Sequence, residues 1–86
     1  MARALTFQRN IVPLADRKRY LERLTARRDY FRAAKCRFWT FEETDLAGAF
    51  LEFIEADDEE TLEAAITNAP DQFVEAARIY REVALD

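Results

Sequence analysis

Histidine is missing from this 86-residue chain, and glycine and cysteine each occur once. Without histidine there is no His-based catalytic triad, no histidine haem ligand and none of the usual histidine-containing zinc sites. A single glycine rules out the glycine-rich phosphate loops of dinucleotide-binding and P-loop proteins. A single cysteine, Cys36, rules out an intrachain disulfide and suits a reducing compartment, so a cytoplasmic protein is expected. No apolar run approaches the length of a membrane span, and the opening MARALTFQRNIVPLAD lacks the apolar stretch of a secretory leader. The acidic run DDEE at 57–60 reads as helix capping rather than a cation loop, and neither a metal nor a cofactor is expected.

What is present is a globular composition: half hydrophobic and about a third charged, long enough for one domain over residues 1–86. The net charge of −4 conceals an asymmetry. Residues 1–40 hold eleven basic and three acidic side chains, whereas 41–86 hold two and fourteen. The basic residues scatter around a helix instead of forming one stripe, so no nucleic-acid partner is expected. A basic first helix beside an acidic second helix accounts for the asymmetry within one fold.

The stretch Cys36–Ala56 reads as two strands and a turn near Thr44–Gly48, with Asp45 and Gly48 supplying turn chemistry. Phe38 and Phe41 point to opposite faces, as do Phe50 and Phe53, so both faces of this hairpin need cover. Ala4–Val12 is a first strand, with Leu5, Phe7, Arg9 and Ile11 on one face and Thr6, Gln8, Asn10 and Val12 on the other. Asp16–Ala34 is a helix capped by Asp16, with Tyr20, Leu21, Leu24, Phe31 and Ala34 on its apolar side. Arg27 and Arg28 fall on or beside that stripe, where their stems can pack while their heads reach outward. Asp57–Ala69 is a second helix, with Asp57 and Glu60 at capping-box spacing and Pro70 as its stop. The end of the chain has two readings, a third helix through Phe73, Ala76, Ala77, Tyr80 and Ala84 or a strand over Ile79–Leu85. The strand is preferred because Ile, Tyr and Val favour strands and the order wants a closing strand.

The resulting class is α+β, a ferredoxin-like βαββαβ layer with a four-stranded antiparallel sheet. Its two helices cover one sheet face only. Leaving the other in water would expose large side chains worth about 1.5–3 kcal/mol each, so a homodimer that buries sheet against sheet is expected.

The element order, the proline after the first strand, the aromatic hairpin and the helix opening DDEETLEAAI resemble the dimeric α+β barrel superfamily, and within it the antibiotic biosynthesis monooxygenase-like domains. The resemblance implies a small-molecule-binding dimeric barrel, with a pocket between each sheet and its helices. It implies a cofactor-independent monooxygenase or an isomerase acting on an aromatic or polyketide-like compound; the alternative is a non-catalytic dimerisation or ligand-sensing module. The haem-degrading branch relies on histidine and does not fit. By the same resemblance Asn10 and Trp39 would hold an aromatic substrate, and Asn10 and Arg37 would stabilise an oxyanion.

Glu52, in mid-strand between Phe50 and Ile54, is the candidate general base or acid if buried. The competing reading pairs it with Arg9 or Arg37, or leaves it in water. Gln8 joins Asn10 on the polar face of the first strand as a candidate ligand contact. A hairpin turn at Thr44–Ala47 sets Trp39 opposite Glu52, so that Arg37, Trp39, Phe41, Phe50 and Glu52 share a face. A one-residue change of register sets Thr40 opposite Glu52 instead. Trp39 has a packing reading as a core aromatic, and Cys36 reads as a small buried hydrophobe.

Overall fold

A computed structural model describes residues 2–70 and 78–85. The chain forms β1 (Ala4–Ile11), α1 (Arg17–Ala33), β2 (Arg37–Glu42), β3 (Ala49–Ala56), α2 (Glu59–Thr67) and β4 (Tyr80–Arg81). The strands make one antiparallel sheet in the order β2-β3-β1-β4, compatible with a ferredoxin-like βαββαβ fold. The closing strand is shorter than Ile79–Leu85: only Tyr80 and Arg81 pair with β1, opposite Leu5 and Ala4. Of the alternative third helix, Phe73, Ala76 and Ala77 lie outside the described residues, while Tyr80 lies in β4 and Ala84 in no regular element.

Both helices pack on one face of the sheet. The core there joins Leu24 and Phe31 of α1, Phe38 of β2, Ile54 and Ala56 of β3, and Leu62 and Ala65 of α2. Phe31 is fully buried and stacks on Phe38 at 6.1 Å between ring centres. Tyr30 donates its hydroxyl to the Ala65 carbonyl at 2.7 Å and so ties the helices together. Leu21, expected on the apolar stripe, is exposed.

The helix ends differ from expectation. Pro13 leads into a short 3-10 turn, Leu14–Asp16, and Asp16 occupies the cap position of α1 without a side-chain capping bond. Lys35, at φ +67°, closes α1 in the left-handed conformation, with Cys36 N–H donating to the Phe31 carbonyl and Lys35 N–H to that of Arg32. That is a Schellman closure with lysine where glycine is usual. In α2 the cap is Asp58, not Asp57: its carboxylate accepts from Thr61 N–H at 2.7 Å, while Asp57 accepts from Arg37.

The hairpin register is the one that sets Thr40 opposite Glu52; Trp39 faces Phe53. The extra loop residue is Gly48. Its φ is +91°, and a Cβ there would lie 2.5 Å from the Val12 carbonyl oxygen. This close approach lets Val12 N–H donate to the Gly48 carbonyl at 2.7 Å, joining the loop to the end of β1. Glu43 N–H then meets the Ala49 carbonyl at 2.8 Å, one pair further along than a Thr44–Ala47 turn would give.

Glu42 locks the same corner. It accepts from both Nη atoms of Arg17, at 2.7 and 2.9 Å, and from Gly48 N–H at 2.9 Å. The Arg17 bonds and the Gly48 N–H pull its carboxyl down from the usual carboxylate range to about 2. A carboxylate depressed on folding stabilises the fold above its unfolded pKa and loses that effect as pH falls toward the folded value. Thermal stability is therefore expected to drop between about pH 4.5 and 2, with Glu42→Gln flattening part of the loss; a melting series across that range checks it.

Candidate functional site

Strand alternation separates two unlike sheet faces. Toward the helices point Thr6, Gln8 and Asn10 of β1, Thr40 of β2, and Phe50, Glu52 and Ile54 of β3. Away from them point Leu5, Phe7 and Ile11, Trp39 and Phe41, and Leu51 and Phe53. The polar side of β1 is thus the buried side, with Thr6 and Gln8 inaccessible and Phe7 and Ile11 exposed.

The reason is Glu52. Its carboxylate has no exposed surface. It accepts from Asn10 Nδ2 and Tyr20 Oη at 2.7 Å each, from Gln8 Nε2 at 3.4 Å, and from Arg27 Nη1 in a close ion pair. Three of these donors converge on Oε2, and the Arg27 ion pair takes Oε1. Asn10 and Gln8 arrive from β1, which pairs directly with β3. Tyr20 and Arg27 are seven residues, about two helical turns, apart, so both reach from one face of α1. The Arg27 side chain is 9% exposed, so its head turns inward to Glu52 instead of outward to water. Burial raises the Tyr20 hydroxyl well above the usual phenol range, and the bond to Glu52 adds to the rise. Tyr20 therefore stays a protonated donor at neutral pH.

Above this cluster lies an open cavity of about 350 Å³ between β1 and α1. Gln8, Asn10, Tyr20 and Arg27 form its polar floor. Val12 and Pro13 make an apolar edge where β1 ends, and Asp16, Arg19 and Arg23 line the helix side. Its size is at the small end of ligand sites, which run to roughly 300–1,000 Å³.

Of the residues singled out in the sequence, Gln8 and Asn10 line this cavity and Glu52 supports them from beneath. Phe50 is buried on the same face but outside the lining, against Tyr20 at 4.9 Å and beneath the Arg17 guanidinium. Arg37, Trp39 and Phe41 lie across the sheet, on the outer face, because the register is shifted by one residue. Neither Arg9 nor Arg37 pairs with Glu52: Arg9 bonds Glu43, and Arg37 bonds Glu55 and Asp57. Ion pairs run from α1 to the hairpin, Arg17 to Glu42 and Arg27 to Glu52; among the described residues none joins α1 to α2. Tyr20 and Arg27 were legible only as members of the α1 stripe. Their polar ends at inward positions, with Arg19, Arg23 and Arg27 spaced four apart, were the available signal. Cys36 is buried, its thiol pushed up chiefly by that burial, and remote from the cavity.

Among the described residues no group of three or more His, Cys, Asp or Glu could hold a metal ion, and no helix is long and apolar enough to cross a membrane. No family model matches this chain, and no curated protein or solved structure matches it either.

Removing one partner of a buried ion pair strands the other charge, at about 3–5 kcal/mol. Glu52→Gln should lower the unfolding free energy by that order in urea titration. Glu52→Gln and Arg27→Met should also be coupled: the double variant should lose less stability than the sum of the two single losses.

Proposed function

We propose that this chain is a small-molecule-binding protein of the dimeric α+β barrel kind, a homodimer with one ligand cavity per protomer between β1 and α1. The observation that carries this reading is the division of the sheet. Its helix side holds a hydrogen-bonded polar floor beneath an open cavity, and its far side is a continuous aromatic surface.

On that far side Phe41, Phe53, Phe7 and Tyr80 make successive ring contacts, at 5.8, 5.7 and 5.3 Å, and so cross all four strands. Trp39 (42% exposed), Phe41 (58%) and Ile11 (61%) stand beside them. Such a patch on one chain is a binding surface. A second copy of the same face is the occupant that matches it without further chemistry. Around the patch Arg9–Glu43 and Arg37–Glu55 are already paired within the protomer, so these charges arrive at the contact matched.

Binding is favoured over acid–base turnover at Glu52. A general base must reach its substrate, and Glu52 lies beneath the cavity floor with no exposed surface and outside the lining. The residue acts by positioning: it aims Asn10 and Tyr20 at the cavity and holds α1 over β1. Asn10 retains a second amide proton and its carbonyl oxygen for a ligand. Trp39 is separated from the cavity by the sheet, which removes the aromatic clamp from the oxygenase version of this reading and leaves Asn10 as its one remaining element.

The native mass tests the dimer. Light scattering after gel filtration is expected to give twice the chain mass of 10.1 kDa. Phe53→Glu, a charge in the middle of the aromatic row, is expected to give a folded monomer. A wild-type monomer at all concentrations would overturn the dimer.

A further inference from the structure

From the charge of the cavity we infer its ligand class: a small amphipathic organic anion, carrying a carboxylate or phosphate group at one end and a hydroxyl or carbonyl group at the other. The inference rests on the reading of this cavity as a ligand site.

Arg19, Arg23 and Arg27 follow one another at four-residue spacing along α1, and all three line the cavity. Like charges at that spacing destabilise a helix by a few tenths of a kcal/mol per pair. Arg27 is matched by Glu52. Arg19 and Arg23 have no ion-pair partner among the described residues, although seven other ion pairs recruit arginines elsewhere in the fold. Asp16, at the same rim, is the one acidic side chain in the lining, so the lining keeps a cationic surplus. A concave wall of that sign concentrates field on whatever enters. Guanidinium groups recognise carboxylates and phosphates through paired, charge-assisted hydrogen bonds.

The remaining lining defines the rest of the ligand. Val12 and Pro13 offer an apolar edge for a short ring or chain. Asn10, oriented by its bond to Glu52, offers one donor and one acceptor to an inner hydroxyl or carbonyl. Arg19 and Arg23 are about 6 Å apart along the helix, close enough to share a single anionic group.

The test is ligand-observed NMR titration of matched probes: 4-hydroxybenzoate against 4-hydroxybenzamide, hexanoate against hexanamide, and phenyl phosphate against phenol. They are run on the wild type, on Arg19→Gln/Arg23→Gln and on Lys18→Gln, a cation of the same helix outside the lining. Thermal melts check that each variant is folded. At least one acid is expected to bind about tenfold or more tightly than its neutral partner, the scale of one lost charge-assisted hydrogen bond. The double arginine variant is expected to lose that margin and Lys18→Gln to keep it. The carboxylate and phosphate arms report which anionic group is preferred. Acids and neutral partners binding alike, with the arginine variant unchanged, would overturn the anion and leave the cavity standing. No binding by any probe would overturn the ligand class and the cavity reading together. Inorganic phosphate, added in competition, displacing the bound organic acid as tightly as that acid itself binds would overturn the amphipathic body of the ligand.

Discussion

A carboxylate shut off from water in mid-sheet constrains everything around it. Glu52 must meet donors on all sides, because an unmatched buried charge costs several kcal/mol. Those donors come from β1 and from α1, so one residue determines two things: which side of β1 faces inward, and how α1 lies across it. Such a pair contributes little net stability against a well-packed apolar replacement. Its effect here is specificity. A slip of β3 by one residue would carry Glu52 to the outer face and Phe53 inward, and would break four hydrogen bonds at once.

The two faces of the sheet follow from that constraint. Because Gln8 and Asn10 are needed inside, Phe7 and Ile11 are outside. Because Glu52 is inside, Leu51 and Phe53 are outside with Trp39 and Phe41. The helix side ends as an apolar core near α2 and a polar cluster near the start of α1, and the cavity opens where the two meet the end of β1. The outer side ends as an exposed aromatic surface that crosses all four strands. The cavity and the exposed aromatic surface are two results of one placement of polar residues.

Element order and type were legible because they rest on local signals. Pro13 ends β1, Pro70 follows α2, and the alternation along β1 and the aromatic pairs of the hairpin show strands. What was hidden depended on contacts between distant parts. The hairpin register turned on Gly48 lying against the Val12 carbonyl, a contact that no local turn rule contains, and with it went the side on which Trp39, Arg37 and Phe41 lie. The close of α1 at Lys35 carries no glycine to announce it. Asp58 caps α2 where Asp57 offered equal chemistry one residue earlier. Glu52 stood out as a charge in an apolar strand, but its partners did not. Arg9 and Arg37 are nearer in sequence pattern, yet both point the other way, and the ion-pair partner, Arg27, read as a residue beside the apolar stripe whose head would reach outward. Gln8 and Asn10 were visible as the polar side of β1, and the structure adds that this is the side turned inward.

Trp39 gives the most direct test of this division of faces, since it is the one tryptophan and stands on the outer side. Its emission and its quenching by acrylamide can be followed from concentrated to dilute protein. If a second copy covers the face, Trp39 is shielded and blue-shifted at high concentration, and becomes open to quencher only where the native mass falls to that of one chain. A tryptophan freely quenched at every concentration, in protein that remains folded, would contradict the covered sheet.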